Sequence, residues 1–183
     1  MKHQILIAGK GGQGIQMMGY LLGYSFVKYQ GKHVVQTEEY GASTRGGESY
    51  TELVVGDREE DVVLFKVQKA DTAIFMFQQS WNSLLKKIQS DTTVIYDGSL
   101  VKPDRGRLFN IMATEISRNE LKSPIVANMI MLGAISAVSR IVTLNELKSA
   151  INEVLSHKWE ELNIRALETG YNKANELLYA ENK

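Results

Sequence analysis

The apolar run Ile5-Leu6-Ile7-Ala8 passes directly into Gly9-Lys10-Gly11-Gly12-Gln13-Gly14, and the apolar period changes on the far side. A run so short, bounded at once by glycines, reads from Gln4 to Ala8 as a buried strand delivering the backbone into a tight turn. Ile15, Met18, Leu22, Phe26 and Tyr29 then recur at helical spacing and stop at Gly31, a C-terminal cap. Strand, glycine turn and helix together open an α/β unit.

Further strands are predicted at His33 to Thr37, Glu48 to Val55, Thr72 to Phe77, Thr93 to Tyr96 and Leu108 to Met112. The continuous apolar character of the fourth and fifth implies a sheet covered on both faces. Ser80 reads as the cap of a short helix carrying Trp81, Leu84, Leu85 and Ile88. A helix over Ala127 to Ile141 is apolar on most sides, and Thr143-Leu144-Asn145-Glu146 is a capping-box pattern opening another. The last helix starts near Trp159 and places Leu162, Leu167, Tyr171, Ala174 and Leu178 on one stripe. The expected fold is a three-layer α/β/α single domain over residues 1–183, with a largely parallel or mixed sheet and a helical C-terminal third.

Lys+Arg and Asp+Glu are 21 each, so no general affinity for nucleic acid or an anionic membrane is expected, and any bound anion must be held locally. The absence of cysteine excludes disulfides, zinc-thiolate sites and iron–sulfur ligation by this chain, and points to a reducing cytoplasm. Neither a signal peptide nor a spanning segment is read from the sequence, which leads to the expectation of a soluble, cytoplasmic domain.

Gly9, Gly11 and Gly14 have the spacing of a nucleotide-binding turn, in which backbone N–H groups at a helix N-terminus meet a pyrophosphate. Glu38 or Glu39, after the second strand, stands where a dinucleotide site places its ribose-binding carboxylate, so a free-standing NAD- or flavin-binding domain is one reading. A Walker loop is excluded because Ile15 occupies the position of its lysine. The second glycine-rich segment runs from Tyr40-Gly41 to Arg45-Gly46-Gly47, and its arginine offers a fork of donors. Both loops are expected at the carboxyl edge of a parallel pair of strands, where open α/β sheets bind ligands. Asn128 reads either as a cap or as an amide presented to a ligand. His3, His33 and His157 are scattered, with no metal-ligand spacing, and Ser43 misses the nucleophile-elbow pattern.

In that order, the first glycine loop, Tyr40-Gly41 with Arg45-Gly46-Gly47, and Ala127-Asn128-Met129 with Leu132-Gly133 resemble the gamma subunit of the 2-oxoacid:ferredoxin oxidoreductases. The resemblance continues through Asn163-Ile164-Arg165-Ala166-Leu167 and Gly170-Tyr171. It implies a complex that oxidatively decarboxylates a 2-oxoacid to its acyl-CoA and passes electrons to ferredoxin. Thiamine diphosphate and iron–sulfur clusters are implied to belong to partner alpha, beta and ferredoxin-like delta subunits. Carried onto this chain, the resemblance puts Gly9, Gly11, Gly12, Gln13 and Gly14 in one coenzyme A loop, Tyr40, Arg45, Gly46 and Gly47 in a second, and Asn128 beside them. The chain departs from the family's pattern at Ala42, Ser43 and Glu48, and a phosphate near Glu48 needs Arg45 to pair that carboxylate. No catalytic acid or base and no metal ligand is assigned, and 2-oxoglutarate is the favoured oxoacid. A purely structural assembly subunit is the remaining alternative.

Overall fold

The computed structural model describes residues 2–40, 46–63 and 65–181. Six strands, β1 Lys2–Lys10, β2 His33–Tyr40, β3 Glu48–Gly56, β4 Thr72–Phe75, β5 Thr93–Tyr96 and β6 Arg107–Asn110, form one sheet in the order β2-β3-β1-β4-β5-β6. β1, β4, β5 and β6 are parallel, and β3 runs antiparallel to both β1 and β2. The first and second strands therefore share a direction without being neighbours. β3 lies between them, so the expected parallel pair is replaced by a mixed edge.

Helices cover both faces, unequally. α1 Ile15–Gln30, α4 Ala127–Ser139, α5 Leu144–Val154 and α6 Glu160–Glu181 pack on the face presenting Ile5, Ile7, Leu53, Ile74 and Ile95. α2 Gln78–Leu84 covers the opposite face, where Phe75 meets Trp81 edge-on at 5.0 Å and Leu6, Ala73 and Val94 complete a smaller core. The strict alternation of these side chains between two buried faces explains why the central strands read as continuous apolar runs. This three-layer arrangement with a helical C-terminal third matches the expected fold class.

Local signals held where they were strong. Thr143 caps α5 by accepting from the Glu146 N–H at 3.2 Å, and Glu146 Oε2 returns to the Thr143 N–H at 2.7 Å. The cap expected of Ser80 is corrected: α2 begins at Gln78, and the buried Ser80 hydroxyl inside it donates to the Gly9 carbonyl at 3.0 Å. A hydroxyl with no solvent access needs an acceptor, and the end of β1 supplies one. The fourth strand stops at Phe75, two residues early, and the short α3 Ala113–Asn119 follows β6 where the sequence reading had no helix.

One ion pair is buried in the smaller core: Lys87 Nζ meets Glu52, which is 1% exposed, and also donates to the Val67 carbonyl at 2.8 Å. α1 is tied to α5 by Tyr24 and Tyr29, whose hydroxyls donate to the two oxygens of Glu153 at 2.6 and 2.7 Å. The Tyr24 bond, then that of Tyr29, holds the Glu153 carboxyl below its ordinary value. A carboxylate whose pKa falls on folding stabilises the protein above its unfolded value, and loses that contribution as pH falls through the folded one. Acid unfolding followed by circular dichroism is expected to decline less steeply below about pH 5 in Glu153→Gln than in the wild type.

Candidate functional site

The glycine turn is built by its own polar groups. Gln13 folds back so that its Oε1 accepts from the Lys10 N–H at 2.6 Å while its Nε2 donates to the Met76 carbonyl at 3.0 Å. This amide bolts the turn to the end of β4. The Gly11 N–H donates to the Gly47 carbonyl at 2.8 Å, joining the first glycine loop to the second. Strand register agrees, since Tyr40 stands opposite Ser49 and Ser49 opposite Gly9. Tyr40, Gly46 and Gly47 thus lie with the first glycine turn at the carboxyl edge of β1. Tyr40 is 67% exposed and its hydroxyl bonds Glu38 at 3.2 Å, directed along its own strand. The expectations for Arg45, Ala42 and Ser43 lie outside the described residues. Glu48 accepts a hydrogen bond from the Ser83 hydroxyl of α2.

Beyond the turn, α1 starts at Gly14, whose φ of 74° is left-handed, with no side-chain cap and no acidic residue in the first turn. No acceptor among the described residues takes the N–H of Gly12, Gly14, Ile15 or Gln16. An uncapped helix start carries partial positive charge. Asn128 packs against it: a Cβ on Gly14 would stand 2.2 Å from Asn128 Nδ2. The Asn128 Oδ1 accepts from the Met129 N–H at 2.9 Å, while its Nδ2 finds no acceptor among the described residues, although the residue is only 8% exposed. The cap expected of Asn128 is corrected: α4 begins at Ala127 with Val126 at its N-cap, so Asn128 lies inside the first turn of the helix and its amino group is left over.

A cavity of about 230 Å³ opens here, lined by Gly12, Gln13, Met76 and Asn128 on one side and by Thr114 and Arg118 of α3 on the other. The sequence reading missed the last two. Buried Asp97, just past β5, draws α3 to the edge by accepting from the Thr114 N–H and hydroxyl at 2.8 and 2.6 Å and from the Ser99 N–H at 3.0 Å. Arg118 follows Thr114 by one helical turn and so faces the same cavity. It makes no ion pair among the described residues. The discoverable signal was an aspartate directly after an apolar strand, with hydroxyl and guanidinium four residues apart downstream. A broader depression of about 610 Å³ lies along α6, but Glu160, Glu161 and Glu168 line it and repel an anion.

The dinucleotide reading fails on topology. Glu38 and Glu39 lie on the edge strand, separated from β1 by β3, and Lys66 bonds Glu39 at 2.9 Å and holds its carboxyl below the usual range. Two strand spacings, about 10 Å, then separate the acidic pair from the glycine turn.

Residues 4–173 match the family described as pyruvate ferredoxin/flavodoxin oxidoreductase. The chain belongs to that family. The 2-oxoglutarate synthase subunit KorC of Methanocaldococcus jannaschii is 36% identical to this subunit over 182 residues, covering 97% of this chain and 96% of its own. Among solved structures, a keto/oxoacid ferredoxin oxidoreductase gamma subunit from Geobacter sulfurreducens shares the fold at TM-score 0.83 and 24% identity, covering 95% of this chain and 97% of its own. The 2-oxoglutarate:ferredoxin oxidoreductase of Magnetococcus marinus, solved with 2-oxoglutarate, coenzyme A and succinyl-CoA, shares it at TM-score 0.80 and 22% identity, over 95% of this chain and 31% of that one. The relatives that the chain matches over nearly their whole length are named as subunits of 2-oxoglutarate synthase. Among the described residues no helix is long and apolar enough to cross a membrane.

Proposed function

We propose that this subunit holds coenzyme A for an oxidoreductase acting on 2-oxoglutarate, with the phosphates of the nucleotide resting at the N-terminus of α1. The observation that carries the reading is an uncapped helix start opening on a cavity lined by Arg118, which has no counter-ion among the described residues. Backbone N–H groups, the Asn128 amino group and a guanidinium form a donor set without an acceptor to match, which suits a phosphate. Gly9, Gly11 and Gln13 shape the turn, while Gly12 and Gly14 face the ligand. Gly46 and Gly47, with Tyr40, close the second side, and Arg45 is assigned to the same ligand as a further donor.

The naming of the Methanocaldococcus relative and the ligands of the Magnetococcus enzyme support both coenzyme A and 2-oxoglutarate. The cavity lining given above carries neither a carboxylate nor an imidazole, so the contribution of this chain is proximity and orientation of the thiol. In this reading thiamine diphosphate and the iron–sulfur clusters sit on alpha, beta and ferredoxin-like delta partners, ferredoxin takes the electrons, and the complex works in the cytoplasm. A cysteine-free chain has no thiolate to offer a cluster.

Steady-state kinetics of the assembled complex test it. Loss of one charge-assisted bond, about 2 kcal/mol, raises the KM for coenzyme A roughly 30-fold in Arg118→Ala, with the KM for the oxoacid unchanged. Unaltered coenzyme A dependence in both Arg118→Ala and Arg45→Ala returns the chain to a purely structural role.

A further inference from the structure

A second cavity, of about 200 Å³, adjoins the first and shares Ile125 and Asn128 with it. Its character is different. Met129 and Leu155 make it apolar, Trp159 contributes an indole that is 50% exposed, and Asn163 of α6 lines it with a side-chain amide that bonds nothing among the described residues. The Lys158 ammonium lies over one face of the indole, 5.4 Å from its centroid, which leaves the opposite face for stacking. Neither the position of Trp159 near a helix start nor the stripe of α6 marked these residues as a site.

We propose that this cavity receives the adenine ring of coenzyme A, stacked on Trp159 with its edge read by Asn163. The inference rests on the coenzyme A reading above and extends it to residues that reading does not use. Three observations point to a purine in particular. An exposed aromatic face in an otherwise apolar slot is a stacking platform, worth more to a flat π-system than to an alkyl chain. An asparagine amide presents one donor and one acceptor side by side, the complement of the adenine amine and its neighbouring ring nitrogen. The slot also begins at Asn128, whose other side touches the phosphate cavity, so base and phosphates are accommodated without a gap. The thiol end then leaves toward the glycine loops and the partner subunits.

Kinetics of the assembled complex decide the matter with two fragments as inhibitors, the adenosine bisphosphate half of coenzyme A and its phosphopantetheine half. Trp159→Ala is expected to raise the KM for coenzyme A about tenfold, in preference to any change in kcat, and Trp159→Phe to retain most of the wild-type affinity. Inhibition by the adenosine fragment weakens by the same factor, whereas inhibition by phosphopantetheine is unchanged. Unaltered KM in Trp159→Ala, equal weakening of both fragments, or failure of that variant to assemble with its partners overturns the proposal. If Arg118→Ala impairs coenzyme A use while Trp159→Ala does not, the purine slot alone falls. If Trp159→Ala, Arg118→Ala and Arg45→Ala all leave coenzyme A use unaltered, the coenzyme A reading falls with it.

Discussion

Gly170→Ala is expected to unfold at a temperature about 10 °C below the wild type, a loss of about 3 kcal/mol for a chain of this size. The reason is the crossing of α4 and α6. A Cβ on Gly170 would stand 1.8 Å from the carbonyl oxygen of Ile130 and 2.6 Å from its carbon, and a Cβ on Gly133 would stand 1.9 Å from the Leu167 carbonyl oxygen. These neighbours are backbone atoms, so no rotamer change relieves the overlap and the helices must separate. Separation opens gaps around Ile130, Ala134, Leu167 and Ala174, all fully buried, and close-packed interiors lose contact energy steeply with distance. Gly23→Ala in α1 is the control: its nearest neighbour would stand at 3.6 Å, so the substitution gains helix propensity and leaves stability equal or higher. Thermal unfolding by calorimetry reads both. A Gly133→Ala/Gly170→Ala pair is expected to cost less than the sum of its members, because one separation relieves both overlaps.

Gly14→Ala is expected to raise the KM for coenzyme A on the order of 100-fold, about 3 kcal/mol. Two penalties coincide at this residue. Its left-handed φ of 74° disfavours any Cβ by roughly 1–2 kcal/mol. The methyl group also lands 2.2 Å from Asn128 Nδ2 and displaces the amino group that faces the cavity. Gly12→Ala separates the two, since it shares the positive φ, at 94°, but its methyl group would meet nothing within 4 Å. A smaller increase in Gly12→Ala than in Gly14→Ala assigns the difference to Asn128. Equal KM values in wild type and Gly14→Ala remove the helix start of α1 from the site.

The glycine turn, the helix from Ile15 to Gly31, the Thr143 capping box and the strand at Thr93 to Tyr96 were legible because each depends on residues within a turn or two of one another. Hydrophobic period, a cap and a breaker suffice there. Motif order carried the family resemblance for the same reason, needing no knowledge of where the segments meet. Thr114 and Arg118 were invisible because their helix is seven residues long and is placed by Asp97, which precedes Thr114 by seventeen positions in sequence and is reached only through the sheet. The insertion of β3 between β1 and β2 was equally hidden, since alternation along a strand says which face is buried and nothing about which strand lies beside it.

What the chain's composition and local order determined by themselves was the type of each strong element, the exclusion of cluster-binding chemistry for want of cysteine, and the presence of two glycine turns. Only the tertiary structure decided that those turns touch, through Gly11 and Gly47, that Asn128 comes to rest on Gly14, and that the Arg118 guanidinium and a half-exposed indole flank the same asparagine. The physical reason is one of range. Backbone preference and amphipathic period act over a few residues, whereas a binding cavity is made of donors whose sequence separation exceeds a hundred residues and whose convergence depends on strand order and helix packing.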